Sequence, residues 1–270
     1  MDNLSNYRSL YQKIHKLMEE YIVTDDDQLV FDAFEKNDIR HACQAIRATQ
    51  SGEVEFQHLT LRFGSQNEQS VYQFDLSDEM SYCLDLYSLY LALRQTQFQL
   101  ETFHPDLISN VVVPIRLDAL LWEHGQVFID HVMRFSAHAF SHLVPSLQIP
   151  MSMARTGFID KLIEDFKERA YAVWFEISSK DKDYTLITYY KPHALKLSGT
   201  LENKEDRAAL LPLIRFFKRY HFPWVASRVG TQAELNQYRL LGASYYFGYF
   251  SDIPTSMSFK AFSDEDNEVW

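Results

Sequence analysis

A chain of 270 residues, 46% hydrophobic and 15% aromatic, suits one large core, and its formal charge of −11 argues against the basic surface that direct nucleic-acid binding needs. Two cysteines, Cys43 and Cys83, with no CxxC pair, argue against a disulfide framework or a cysteine zinc site. No apolar run approaches the roughly 18 residues of a membrane span and Met1-Asp2-Asn3 begins no signal peptide, so the expectation is a cytoplasmic protein without membrane insertion.

Residues 4–22 carry Leu10, Ile14, Leu17, Met18 and Tyr21 on one helical stripe, with Ser5 as N-cap and Asp25-Asp26-Asp27 ending the segment. A short helix over Gln28–Lys36 follows. Strands at His41–Ile46 and Val54–Phe63 flank a turn at Ser51-Gly52 and read as a hairpin. A polar loop, Gly64 to Ser70, leads to a long helix from Ser77 to Gln97. Asn110–Ile115 is β-branched and reads as a buried strand. Leu117–Glu123 and Val127–His142 read as helices, Ser146–Met151 as a brief strand, Gly157–Arg169 as a helix and Ala172–Ile177 as a strand. Thr185–Tyr190 reads as strand in isolation. Ala194–Leu197 is a strand and Lys204–Tyr220 a helix with Leu210, Leu211, Ile214 and Phe217 inward.

The last unit is Phe222–Pro254. Strand Trp224–Ala226 precedes a helix marked by Leu235, Tyr238, Leu240 and Leu241, closed by Gly242, and then aromatic Tyr245–Phe250. Strand and helix thus alternate about eight times with short connections, which favours an α/β barrel over a doubly wound sheet. The acidic end, Ser263-Asp264-Glu265-Asp266-Asn267-Glu268, reads as a solvated tail.

The layout of this last unit resembles the C-terminal end of the EAL domain, the bacterial cyclic di-GMP phosphodiesterase family. Family members read AEGVET, then LG at a helix end, then QGYxFxxP. Here those slots hold Ala226-Ser227-Arg228-Val229-Gly230-Thr231, Leu241-Gly242, and Phe247-Gly248-Tyr249-Phe250 with Pro254. Ser227 and Phe247 keep the family's spacing of twenty residues. The QPI strand corresponds to Gln44-Ala45-Ile46, and fourteen residues after Gln44 the EALLRW slot reads His58-Leu59-Thr60-Leu61-Arg62-Phe63. VNLS aligns with Val113-Pro114-Ile115-Arg116 and EITE with Pro150-Met151-Ser152-Met153. DDFGTG aligns with Phe175-Glu176-Ile177-Ser178-Ser179-Lys180, and LKID with Leu195-Lys196-Leu197-Ser198.

The resemblance implies a modified TIM-type (β/α)8 barrel of the EAL kind over 28–257, after an N-terminal helical extension over 1–27 and before an acidic tail over 258–270. It also places a helix at Thr185–Tyr190. In active members, carboxylates and an amide at the strand ends hold two divalent cations that activate water against the phosphodiester. The corresponding positions here are His58, Pro114, Pro150, Phe175, Glu176, Ser227, Gly230 and Phe247. One carboxylate, Glu176, with Lys196 does not hold a metal pair, so the expectation is an inactive phosphodiesterase-like domain with no catalytic residues, metal or cofactor. Gln44, Arg62 and Lys196 remain as candidate ligand contacts. A cyclic di-GMP sensor is the second reading and an active phosphodiesterase the third. The leading expectation is a bacterial regulator of motility, biofilm or virulence that binds a protein partner, such as a transcription regulator or the degradation or RNA-turnover machinery.

Five other features have bland readings. His58, without an acidic or histidine neighbour in sequence reach, reads as structural, and Cys43 as a buried small hydrophobe. His138 and His142 are spaced as zinc ligands can be, near His131, but lack the glutamate of the zincin pattern. The N-terminal helix reads first as a cover for the barrel's base, and second as a partner contact. Along Arg215–Trp224, Phe217 and Trp224 read as core, leaving Phe216, Lys218 and Arg219 as candidates for an interface.

Overall fold

Strands β1 (Ile39–Ala48) and β2 (Val54–Phe63) form the expected antiparallel hairpin, paired from Ile39↔Phe63 to Arg47↔Val54, with Gly52 at positive φ in the turn. This computed structural model describes residues 3–63, 69–178, 181–198 and 204–257. The acidic tail, Ser179-Lys180 and most of the Gly64–Ser70 loop lie outside the described residues.

From β2 the sheet continues through parallel strands β4 (Val111–Arg116), β5 (Leu143–Gln148), β6 (Trp174–Ser178), β7 (Ala194–Ser198), β8 (Trp224–Ala226) and β9 (Tyr245–Tyr246). Strand β9 then pairs antiparallel with β1, closing an eight-stranded barrel in which β1 alone runs against its neighbours. Two short strands lie outside the ring: β3 (Gln69–Ser70) on β2, and β10 (Thr255–Ser256) on β1.

Each strand alternates faces, and the two faces build two cores. Ile46, Phe56, Val112, Val144, Trp174, Ala194, Val225 and Phe247 fill the barrel's interior, with Phe56 edge-on to Trp174 at 5.0 Å. The opposite faces, including Leu59, Val113, Leu147, Phe175 and Leu195, pack under the helices.

That shell comprises α1 (Asn3–Glu20), α2 (Asp25–Glu35), α3 (Asp78–Thr102), α4 (Leu117–Leu121), α5 (Glu123–Phe135), α6 (Ala137–Phe140), α7 (Gly157–Arg169), α8 (Thr185–Tyr190), α9 (Lys204–Tyr220) and α10 (Gln232–Leu241). Helix α3, capped by Ser77, is buried nearly all round because β4 lies beneath it and α1, α4 and α6 beside it. The stripe Tyr7, Leu10, Ile14 and Met18 of α1 covers α3 rather than the barrel's base. Ser5 lies within α1, not at its cap. Asp25-Asp26-Asp27 is the first turn of α2, where Asp27 and Thr24 form a capping box.

Thr185–Tyr190 is a helix, with Leu186, Ile187 and Tyr190 on its buried face. Strand β5 begins at Leu143 and ends at Gln148, displaced from the expected Ser146–Met151 because Pro145 sits inside it and Pro150 beyond it. Helix α5 stops at Phe135, where the sequence pattern ran on to His142. Leu211 and Leu240, expected inward, are 46% and 83% exposed; Leu213 takes the inward place on α9.

Gly248 packs against the backbone after β8: a Cβ there would stand 2.2 Å from the Val229 carbonyl oxygen and 2.3 Å from its nitrogen. Gly248→Ala is therefore expected to cost about 3 kcal/mol in urea unfolding, whereas Gly157→Ala, with open space around it, should shift stability by under about 1 kcal/mol.

Candidate functional site

Two residues toward the mouth from the apolar plug, strand alternation sets a polar layer: Gln44 on β1, His58 on β2, Pro114 on β4, Ser146 on β5, Glu176 on β6, Lys196 on β7 and Ser227 just past β8. Direct register pairs link them, Gln44↔His58, Pro114↔Ser146 and Glu176↔Lys196. Above them opens a cleft of about 820 Å³, rimmed by Arg62, Arg116, Gln148, Arg228 and Tyr249.

The layer's centre is the Lys196 ammonium, which donates to Glu176 Oε1 at 2.7 Å and to His58 Nε2 at 3.0 Å. An ammonium only donates, so the imidazole accepts at Nε2, carries its proton on Nδ1 and is neutral. Burial pushes His58 well below its ordinary pKa, and the Lys196 charge pushes the same way. Phe247 stacks under His58, centroids 4.6 Å apart. The Glu176 carboxylate also accepts from Ser146 Oγ at 3.1 Å and Gln148 Nε2 at 3.4 Å.

Several other polar groups around the cleft have internal partners. Gln44 donates to the Asp252 carbonyl at 2.7 Å, and Ser227 to the Leu197 carbonyl at 2.5 Å. Arg62 donates to the Tyr249 hydroxyl at 3.2 Å. Arg47 holds Asp252 bidentately, both contacts 2.8 Å, which ties the segment after β9 to β1. Arg228, at the rim, has left-handed backbone with φ 58°.

Of the positions singled out in the sequence, His58, Pro114, Glu176 and Ser227 share the layer, and Phe247 lies against it. Phe175 does not reach the mouth: it faces the helical shell, edge-on to Tyr190 at 6.1 Å. Pro150 lies past the end of β5, whose layer residue is Ser146. The Gly230 N–H donates to Glu234 Oε2 at 2.7 Å within the α10 cap. Among the described residues no three His, Cys, Asp or Glu side chains come together as metal ligands.

His138 and His142 stand 6.0 Å apart, while His131 lies on α5 against Phe135. Cys43 is half-buried and donates to Gln57 Oε1; burial pushes its thiol up to about 11. Phe217 and Trp224 are core residues, Lys218 and Arg219 are exposed, and Phe216 stacks on Tyr184 at 4.6 Å.

A second network borders the cleft. Buried Asp85 on α3 accepts from the Tyr72 hydroxyl at 2.9 Å, the Arg116 N–H at 3.0 Å and the Arg116 guanidinium at 3.3 Å. Burial outweighs these contacts and raises its carboxyl to about 6. The signal for Asp85 was present in the sequence, a single acid amid the apolar run of α3.

No family model and no curated protein matches the sequence. Solved structures do match. The apo S helix-GGDEF-EAL portion of Vibrio cholerae LapD aligns with a TM-score of 0.69 at 14% identity, over 84% of this chain and 57% of that one. The PaMucR phosphodiesterase in complex with c-di-GMP gives 0.65 at 19%, over 84% and 97%. The Bacillus subtilis YkuI protein, with an EAL domain in complex with c-di-GMP and calcium, gives 0.65 at 15%, over 87% and 60%. The class is thus an eight-stranded α/β barrel with one antiparallel strand. Within that class the chain has the fold of an EAL domain, and it spans little more than half the length of the LapD chain it matches. No helix among the described residues is long and apolar enough to cross a membrane.

Removing one partner from a buried ion pair strands the other charge. Lys196→Met alone is expected to cost about 3–5 kcal/mol in urea unfolding, with most of that recovered in the Lys196→Met/Glu176→Gln double variant. The pH response has two signs. Burial holds His41 down to about 3 and His58 well below 6.5, so both stay neutral in the fold while the unfolded chain takes up protons below 6.5. Their contribution is complete above that pH and is lost as pH falls. Asp85 opposes them: its raised pKa makes ionisation cost stability as pH rises from about 4 to about 6. In NMR titrations the Asp85 carboxyl should titrate near pH 6, and neither imidazole should titrate between about pH 8 and 5.

Proposed function

We propose that the protein is a catalytically inactive, cytoplasmic EAL-fold regulator that acts by binding another protein. The observation that carries this reading is the donor set of the strand-end layer, where Gln44, His58, Pro114, Ser146 and Ser227 stand and the one carboxylate, Glu176, is paired with Lys196, whereas a cation-binding barrel would need open oxygen donors. A pair of hard divalent ions takes several carboxylates; among the described residues this cleft is lined by two, Glu176 paired with Lys196 and Asp85 paired with Arg116, beside Pro114 and Ser227. The donor set does not fit the metals, so no hydrolytic step is derived through them. The resemblance suggests control of motility, biofilm or virulence, through a transcription regulator or the degradation or RNA-turnover machinery.

A second reading is a cyclic di-GMP sensor, favoured by one observation: Gln44, Arg62 and Lys196 all line the same cleft. Against it, each of the three already holds an internal partner.

A phosphodiesterase assay with cyclic di-GMP and Mg²⁺ or Mn²⁺ is expected to give no turnover above background; measurable turnover would end the proposal. Calorimetry with the dinucleotide is expected to show no binding. Micromolar affinity abolished by Arg62→Ala would replace the leading reading with the sensor.

A further inference from the structure

Helices α1, α3, α4 and α5 meet at an aromatic cluster outside the barrel mouth. Trp122 forms the corner between α4 and α5, and Gly125 fixes that corner: a Cβ there would stand 1.8 Å from the Ala119 carbonyl oxygen. Tyr21, just past α1, meets Trp122 edge-on at 5.2 Å, and Tyr82 of α3 lies 5.9 Å from it on a tilt. His124 closes the group, 4.6 Å from Trp122 and 3.5 Å from the Tyr21 hydroxyl. All four rings are half-exposed.

Carboxylates neighbour these rings along the helices: Glu20 beside Tyr21, Glu123 beside Trp122, Asp78 and Glu79 one turn before Tyr82, and Asp118 one turn before Trp122. Glu20, Glu79 and Glu123 act on the Tyr21 phenol, and Asp78, Glu79 and Asp118 on that of Tyr82; with burial, the larger cause, they push both phenols up. Four of the five acids sit in first turns of α3, α4 and α5, where the helix dipole favours them. That does not account for Glu20, which ends α1 where a carboxylate opposes the dipole and whose last turn carries no basic residue. Arg116, the cation that acts on the Tyr82 phenol, is committed to Asp85 and the Ser81 carbonyl. Aromatic faces set in negative potential attract cations, and a guanidinium or ammonium laid on them gains from both ring and carboxylate.

We infer that Tyr21, Tyr82 and Trp122, with these acids beside them, form a docking surface for a basic segment of a partner protein, with an arginine or lysine side chain lying on the rings. The inference rests on the partner-binding reading above and adds the surface and the partner's chemistry to it. Charge complementarity selects that occupant: a second copy of this chain would bring its own net charge of −11 against the acidic face.

The test titrates the full chain with a short peptide alternating arginine and glycine, following the Trp122 indole N–H by NMR. The Trp122 resonance is expected to move. Tyr82→Leu, which leaves charge unchanged, should weaken binding about tenfold, as should Glu79→Gln/Glu123→Gln. Glu164→Gln/Glu168→Gln, removing the same charge from α7, should stay within about twofold. If Tyr82→Leu lowers the melting temperature, Tyr21→Leu supplies the same comparison. The inference is overturned if Trp122 does not respond, if both charge-removing pairs weaken binding equally, or if tetramethylammonium moves Trp122 and the peptide does not displace it. Such a failure without phosphodiesterase turnover removes this surface and leaves the partner-binding reading standing.

Discussion

A buried ammonium must be matched by charge and hydrogen bonds, and the barrel's mouth is arranged around meeting that demand for Lys196. The pairing Glu176↔Lys196 puts carboxylate and ammonium on adjacent strands at one height. The plug of Trp174, Phe56 and Phe247 beneath them keeps water from below. Neutral His58 accepts from the ammonium, while Ser146 and Gln148 donate to the carboxylate. Strand alternation alone produces this stacking of polar layer over apolar plug. The chemistry of the mouth is therefore set by which residue falls two positions beyond each plug residue.

The rim follows the same economy of charge. Arg116 is turned to Asp85, Arg47 to Asp252 and Arg62 to Tyr249, so these three cations hold the segments above the strands, while Arg228 stands at the rim. Most of the charge at the mouth is thus paired within the fold, which agrees with the reading that function lies in contacts outside it.

Much of the fold was legible because the signals were local. The hairpin with Gly52, helix α7, the Ser77 start of α3 and the Gly242 end of α10 each carry their own turn or cap chemistry. The site was legible where spacing fixed register, as with Gln44, His58 and Lys196. It is less legible where prolines sit in central strands against their usual placement: Pro114 in β4 and Pro145 in β5 blur the strand ends, and Pro150 lies beyond β5, whose layer residue is Ser146. Phe175 and Glu176 fill the two adjacent acidic positions of DDFGTG, and strand alternation brings Glu176 alone to the mouth while Phe175 faces the shell. Leu211 and Leu240 sit on helices α9 and α10, where neighbouring leucines made the inward face ambiguous. Asp85, Arg116 and Tyr72 come from three separate elements, and no short-range pattern joins them.

The antiparallel strand that closes the ring has a temporal consequence. Arg47 and Ala48 pair with Tyr246 and Tyr245, and Cys43 with Thr255, so the first barrel strand is sealed by the last described residues. During synthesis β1 and β2 can zip as a local hairpin long before β9 leaves the ribosome, leaving β1 with one bare edge in the meantime. Closure is the longest-range event in the chain and so the slowest step expected of its folding. A truncation before Tyr245 would remove the latch as well as a strand, and release an open, pairing-prone sheet.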